Sequence, residues 1–285
     1  MTETVLVGSM RRSGGTLLAN LFDGHPDCSV LPFEDWHTRR KARFFPHHNF
    51  LFPWLTPGWK LFVCGFRNAS YRRKLEQWQP GADLAGYERE LRACAARATS
   101  VSRFYRDSSE LYFQFFHACA LRAKLINHCA DLCILAPWQL RRIFGSYRMI
   151  LSVRDPRAVF CSMLNLETGR FTERSLPAFC RNWEKSVKRY YLSDPSVLRC
   201  RFEDLLAEPK ATMESLSQGL GISFSDILLT PTRHGRETEA NSSFGRTVGI
   251  DPSRMDSWRS RLDARVRGEI ENRLGPVMQR LGYTK

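Results

Sequence analysis

Residues 4–8 form a short apolar run closed by Gly8; a loop of Ser, Arg and Gly follows, and Thr16-Leu-Leu-Ala-Asn-Leu-Phe then has helical spacing. A strand that turns through glycines into a helix is the opening unit of an α/β fold. It restricts the rest of the chain to partners that can pair with that strand and cover that helix. The remaining pattern agrees. Cys28–Leu31 predicts a second strand, stopped by Pro32, and Lys124–His128 predicts a third. Tyr147–Val153 predicts a strand buried on both faces, and Ser196–Phe202 predicts a last one. Helices are predicted at Leu84–Ala98, Ser108–Leu121, Pro137–Phe144, from Pro156 to about Leu166, and at Leu176–Tyr191, Pro209–Leu220 and Asp263–Leu281. Strands alternating with helices imply right-handed βαβ units around a parallel sheet flanked by helices. No internal repeat or low-complexity linker divides the chain, so residues 1–285 read as one domain. The irregular, aromatic-rich stretch within about 37–105 reads as a variable region covering a site.

Two loops carry chemistry. In Gly8-Ser-Met-Arg-Arg-Ser-Gly-Gly-Thr16, Gly14 and Gly15 let the backbone curl so that unpaired N–H groups point outward at a helix start. Ser13 and Thr16 add hydroxyls, and Arg11 or Arg12 adds positive charge. The loop resembles a nucleotide-triphosphate P-loop but has Gly15 where that motif has its lysine, which argues against ATP hydrolysis. In Arg154-Asp-Pro-Arg-Ala-Val-Phe-Cys-Ser162, Arg154 ends a buried strand and Ser162 lies about two turns into the next helix. Both can face the C-terminal edge of the sheet, where open α/β sheets bind ligands, and together they suit a second phosphate. Asp155 reads as the N-cap of that helix.

Taken together, the loops resemble those of the sulfotransferases that use 3′-phosphoadenosine 5′-phosphosulfate (PAPS), and the likeness leans toward their carbohydrate and bacterial-type branch. In that family an Arg-Ser-Gly-x-Thr loop binds the 5′-phosphosulfate and an Arg-x-Pro…Ser stretch binds the 3′-phosphate. The match implies donor binding by Arg11, Arg12, Ser13, Gly14, Gly15, Thr16, Leu17, Arg154 and Ser162, with a P-loop-type fold. Arg201-Phe-Glu-Asp-Leu205 resembles the family's Tyr-Glu-Asp segment; Phe202 stands where a Tyr is frequent and keeps a ring for adenine. The tail Gly249–Arg259 resembles the segment that closes over the donor, which brings in Arg254 and, just ahead of the segment, Arg246. Two arginines precede Ser13, and the motif leaves open which one meets the sulfonate, where Arg12 is the expected catalytic group. The family needs a base for the acceptor hydroxyl, and two residues match its positions: Glu34, as in carbohydrate and tyrosine sulfotransferases, and His128, as in aryl and alcohol sulfotransferases. Asp35 and His37 are lesser stand-ins. The expected reaction is sulfonate transfer from PAPS to a hydroxyl, with 3′-phosphoadenosine 5′-phosphate (PAP) as product. The acceptor is a carbohydrate or glycolipid, or, with His128 as base, a small alcohol or phenol.

Composition bears on partners and compartment. Lys and Arg total 43 against 29 Asp and Glu, a formal charge of +14, which attracts anions of any kind. The basic residues are scattered. The densest run, Arg39-Arg40-Lys41-Ala42-Arg43, reads as a solvated face or an entrance for an acidic acceptor, and no continuous basic stripe suggests a nucleic acid. A kinase-like reading needs the missing loop lysine. The nine Cys show no Cys-x-x-Cys pair and read as buried thiols in a reducing compartment, and the adjacent His47-His48 does not read as a metal site. No metal is expected. With no secretory signal at Met1 and no run of about 18 apolar residues, the chain reads as cytoplasmic.

Overall fold

The computed structural model describes residues 2–36, 75–130, 135–165, 171–238 and 249–283. The basic run at 39–43, the histidines 47–48 and the aromatics between 44 and 59 lie outside the described residues.

Five parallel strands, β1 (Glu3–Ser9), β2 (Cys28–Trp36), β3 (Lys124–Ala130), β4 (Tyr147–Val153) and β5 (Leu198–Arg201), form one sheet in the order β2-β3-β1-β4-β5. From β1 the chain moves to one side, towards β2; every later connection moves the other way. With right-handed crossovers, opposite directions put the connecting helices on opposite faces of the sheet. The core divides accordingly. On one face α1 (Gly15–Leu21), α7 (Phe202–Ala207) and α8 (Pro209–Leu220) bury Leu18, Leu21, Leu205, Met213 and Leu216 against Val5, Val7, Ile126 and Ile150. On the other, α2 (Leu84–Arg97), α3 (Val101–His117), α4 (Pro137–Phe144), α5 (Pro156–Leu164), α6 (Leu176–Ser186) and α9 (Ala264–Arg280) cover Leu6, Leu125, Met149, Leu151 and Val153. Alternate residues of β1 and β4 thus enter different cores, which is why both strands are apolar almost without interruption. The reversal of direction lies between β1 and β4, so their C-terminal ends form the crevice in which open α/β sheets bind ligands.

Several boundaries differ from the sequence reading, most plainly at three elements. The strand expected to stop at Pro32 runs on to Trp36, with a shift in its pairing to β3 between Val30 and Glu34. β2 is the outer strand of the described sheet, and there a residue without an N–H is tolerated at an irregularity. Helix α3 begins at Val101 rather than Ser108, because Ser100 caps it by accepting from the Arg103 N–H at 3.1 Å. Its polar first turns are a solvated face with an Arg103–Asp107 pair at 2.8 Å. Phe202 opens α7 instead of closing a strand.

A small hairpin, β6 (Thr232–Arg233) and β7 (Arg236–Glu237), turns through His234 and Gly235, both in the left-handed region. It joins the end of α1, where the Asp23 carboxylate accepts from the Thr232 hydroxyl at 2.7 Å and the Gly235 N–H at 2.8 Å, to the end of α3. There the His234 ring stacks on His117 at 4.7 Å and its Nε2 lies 3.5 Å from the Tyr112 hydroxyl. Of the described cysteines, Cys28, Cys94, Cys129, Cys161, Cys180 and Cys200 are buried free thiols, and burial pushes those of Cys28 and Cys200 up to about 12. Cys119 departs from the expectation and is exposed. Among the described residues no helix is long and apolar enough to cross a membrane.

Candidate active site

Both loops singled out in the sequence rise from the crevice ends of β1 and β4. The first is closed by Ser13 N–H donating to the Met10 carbonyl at 3.1 Å, after which Gly14, at φ 82°, turns the chain into α1. No side chain caps that helix. Arg12 also has a positive φ, 68°, which costs a non-glycine residue on the order of 1 kcal/mol. The surroundings hold it there. Its carbonyl accepts from Arg154 Nη1 at 3.2 Å, and the next carbonyl, of Ser13, accepts from the Ser152 hydroxyl on β4 at 2.6 Å. The Arg12 side chain reaches back across, donating from Nε to the Ser162 hydroxyl on α5 at 3.0 Å. Each loop is therefore part of the other's support.

Packing against the loop is equally close. A Cβ on Gly15 would collide with the His128 ring and the Ser9 hydroxyl, and one on Gly14 would overlap the Phe202 ring. His128 is buried at the end of β3, its Nε2 3.3 Å from the Ser9 hydroxyl and its Nδ1 3.4 Å from that of Thr16. Leu17, on the same turn as Thr16, packs against the core on the α1 face. Phe202 lies against Gly14 with the Arg154 guanidinium over its ring, 4.6 Å from the centroid. Burial pulls the Arg154 pKa below its ordinary value and neighbouring Arg12 adds to this, while Glu203 opposes both.

Behind the second loop the structure holds a network. Asp155 caps α5 as expected, accepting from the Arg157 N–H at 2.8 Å. Its carboxylate is also gripped by the Arg157 guanidinium, at 2.7 Å from Nη2, and Arg157 pairs with Glu271 of α9 at 2.7 Å beneath the Trp258 ring. The Trp183 indole donates to the Arg154 carbonyl at 3.2 Å. Asp155 is thus committed to structure, which leaves the kinase-like reading without its metal ligand.

Residues 34 and 128 face each other across the parallel β2–β3 pair, so the two candidate bases share one register position at the crevice edge. The side chains of Glu34 and Asp35 lie outside the described residues, as do His37 and Arg246 altogether. Arg254 ends a short 3₁₀ turn, Pro252–Arg254, that packs beside α7; its own side chain is not described.

The comparisons with known proteins fit this geometry. A family model described as "Sulfotransferase family" matches residues 4–226, from the first strand through both loops and on past α8. The chain belongs to the sulfotransferase family. Its sequence is 22% identical to protein-tyrosine sulfotransferase 2 of Gallus gallus over 300 residues, covering 98% of this chain and 69% of that protein. In fold it is similar to the sulfotransferase domain of the Synechococcus PCC 7002 olefin synthase, with TM-score 0.60, 18% identity, and 95% and 94% of the two chains covered. A sulfotransferase domain from the curacin biosynthetic pathway gives TM-score 0.58 at 18% identity, with 96% and 98% covered.

In this sulfotransferase Arg12, Arg154, the Ser162 hydroxyl and the loop glycines come together as one cluster. Sequence reasoning missed the residues behind them: Ser9, Ser152, Arg157 and Glu203. Ser9 and Ser152 did leave a signal, since a hydroxyl within or just closing a fully buried strand needs a partner.

Proposed function

We propose that this sulfotransferase moves a sulfonate group from PAPS to a hydroxyl acceptor. The observation that carries the reading is the mutual support of the two loops, in which Arg12 holds Ser162 and Arg154 holds the Arg12 carbonyl. Two guanidinium groups, several hydroxyls and the backbone N–H groups of a glycine loop converge there, which suits a ligand with anionic groups at two places. An aromatic ring, Phe202, borders them and suits an adenine. Arg12, Ser13, Gly14, Gly15, Thr16 and Leu17 serve the 5′-phosphosulfate, with Arg11 as a further charge, and Arg154 and Ser162 serve the 3′-phosphate. Arg246 and Arg254 belong to the tail segment that covers the donor. The acceptor oxygen bonds to sulfur as the sulfur–oxygen bond to the phosphate breaks, and PAP leaves with the charge that Arg12 and the loop N–H groups stabilise. The acceptor proton goes to Glu34. His128 is the less favoured base because it is buried and already engaged with the Ser9 and Thr16 hydroxyls.

The acceptor we favour is a carbohydrate or glycolipid hydroxyl. The likeness to a protein-tyrosine sulfotransferase supports a second reading, a tyrosine hydroxyl in a protein. The whole chain works as one domain with its acceptor side within about 37–105, in the cytoplasm, where buried free thiols stay reduced.

The first test is thermal melting with PAP, set against ATP or GTP with magnesium. A ligand bound only by the folded state raises the melting temperature. PAP is expected to stabilise the protein selectively, and Arg154→Ala to lose that response. A shift with ATP or GTP and none with PAP would overturn the donor assignment. Glu34→Gln is expected to bind PAP normally and to lose turnover by 10²-fold or more, roughly the scale of one acid–base group; near-full turnover would show that Glu34 is not the base.

A further inference from the structure

We propose that Glu203 and Tyr283, the latter in the segment just after α9, are a positioning pair for Arg154, so that this segment completes the second phosphate clamp. The inference rests on the reading of Arg154 as a donor-binding residue. Glu203 is half-buried on α7, and both of its oxygens are in use. Oε1 accepts from the Asp155 N–H at 2.9 Å, the peptide immediately after Arg154, and Oε2 accepts from the Tyr283 hydroxyl at 2.9 Å. The carboxylate therefore fixes the direction in which the chain leaves Arg154, while its neighbour Phe202 packs on the Arg154 guanidinium. It also supplies the negative charge that offsets the repulsion between the buried Arg154 and Arg12.

Tyr283 is held for this task. Its N–H donates to the Met278 carbonyl at 2.9 Å and that of Gly282 to Gln279 at 3.0 Å, which folds the end of α9 back toward α7. The Arg201 guanidinium lies over the Tyr283 ring at 4.7 Å, with its Nε 4.0 Å from Glu203 Oε2. Burial, and then Glu203, hold the Tyr283 phenol well above its ordinary pKa, so it remains a donor. Burial raises the pKa of Glu203, and the bonds from Asp155 and Tyr283 and the charge of Arg154 work against that rise. The charged groups facing the carboxylate are Arg154, just after β4, and Arg201, the last residue of β5, and Arg201 is shared with Asp204 on α7 at 3.6 Å.

A tyrosine that merely packed would affect stability and nothing else. One that positions Arg154 through Glu203 affects donor binding and its pH dependence. PAP affinity is to be measured from acid to neutral pH for the wild-type chain, Tyr283→Phe, Glu203→Gln and Arg154→Ala, with the melting temperature of each unliganded protein. Tyr283→Phe is expected to weaken PAP about five-fold, the scale of one net hydrogen bond. It is also expected to move the acid limb of binding to higher pH, because Glu203 without its phenol donor gains a proton sooner as pH falls. Glu203→Gln is expected to weaken PAP and to flatten that limb. If Tyr283→Phe and Glu203→Gln bind PAP as the wild type does, over the same pH profile, the proposal is overturned even when both melt lower. If the wild type itself ignores PAP, the donor assignment fails and takes this inference with it. A wild-type response lost in Arg154→Ala but intact in Tyr283→Phe and Glu203→Gln overturns the positioning pair alone.

Discussion

At position 15 a methyl group would meet the His128 imidazole and the Ser9 hydroxyl, so the loop closes on a space that only a glycine leaves open. Gly15→Ala is expected to abolish PAP stabilisation in thermal melts. His128→Ala in the same chain is expected to restore part of it, by emptying the volume the methyl needs; two losses that simply add would show that the two sites do not touch. The readout is donor binding, which separates the steric role of His128 from any role in proton transfer. Much of this was legible in the sequence, because Arg12 to Thr16 and Arg154 to Ser162 are local patterns whose spacing carries the chemistry. Their partners were not. Ser152 and the Ser13 carbonyl it bonds are separated by 139 positions, and Glu203 and Tyr283 by 80, so only the fold brings them together.

Helix α5 carries Ser162 into the site, and its first turn is fixed from behind by Arg157, which joins Asp155 to Glu271 on α9. Removing one member of a buried ion pair leaves its partners uncompensated, at a cost of about 3–5 kcal/mol. Arg157→Ala is expected to lose stability on that scale in urea unfolding, and to weaken PAP as well because the helix start that follows Arg154 is released. A loss within about 0.5 kcal/mol, as at an ordinary surface site, would show that the network does not anchor α5. Elements with strong local signals, such as β4 and α4, were legible to the residue: a strand centred on the apolar run Met149-Ile-Leu151, and a helix between Pro137 and Gly145. Elements that depend on their neighbours were not. Pro32 stays inside β2 because that strand is outermost, and α3 starts as early as Val101 because Ser100 caps it and the opposite face of its polar first turns buries Val101, Phe104 and Tyr105.

Over the whole molecule, alternating strands and helices implied a parallel sheet, and that is what forms. Strand order was not legible, since it depends on which faces the connections cover and not on any residue pattern. One long-range tie, the β6–β7 hairpin, makes stability sensitive to acid. Burial first, then His117, Arg233 and Arg236, lower the His234 pKa from 6.5 to about 4. Between those values the unfolded chain binds the proton and the folded one does not, so stability falls as pH drops from 6.5 towards about 4. His234→Asn, which tolerates the left-handed turn, is expected to shrink that fall in melting temperature. An unchanged acid slope would show that the hairpin histidine does not set it.

The two loop glycines then differ in how they can change over descent. Gly14 is constrained twice, by its left-handed backbone and by the Phe202 ring against it, so it stays glycine whatever stands at 202. Gly15 begins a right-handed helix and is constrained only by its neighbours, the His128 ring foremost. In relatives of this chain, position 15 is therefore free to vary only in step with positions 128 and 9, linked substitutions that an alignment would show as covariation of the first loop with the third and first strands.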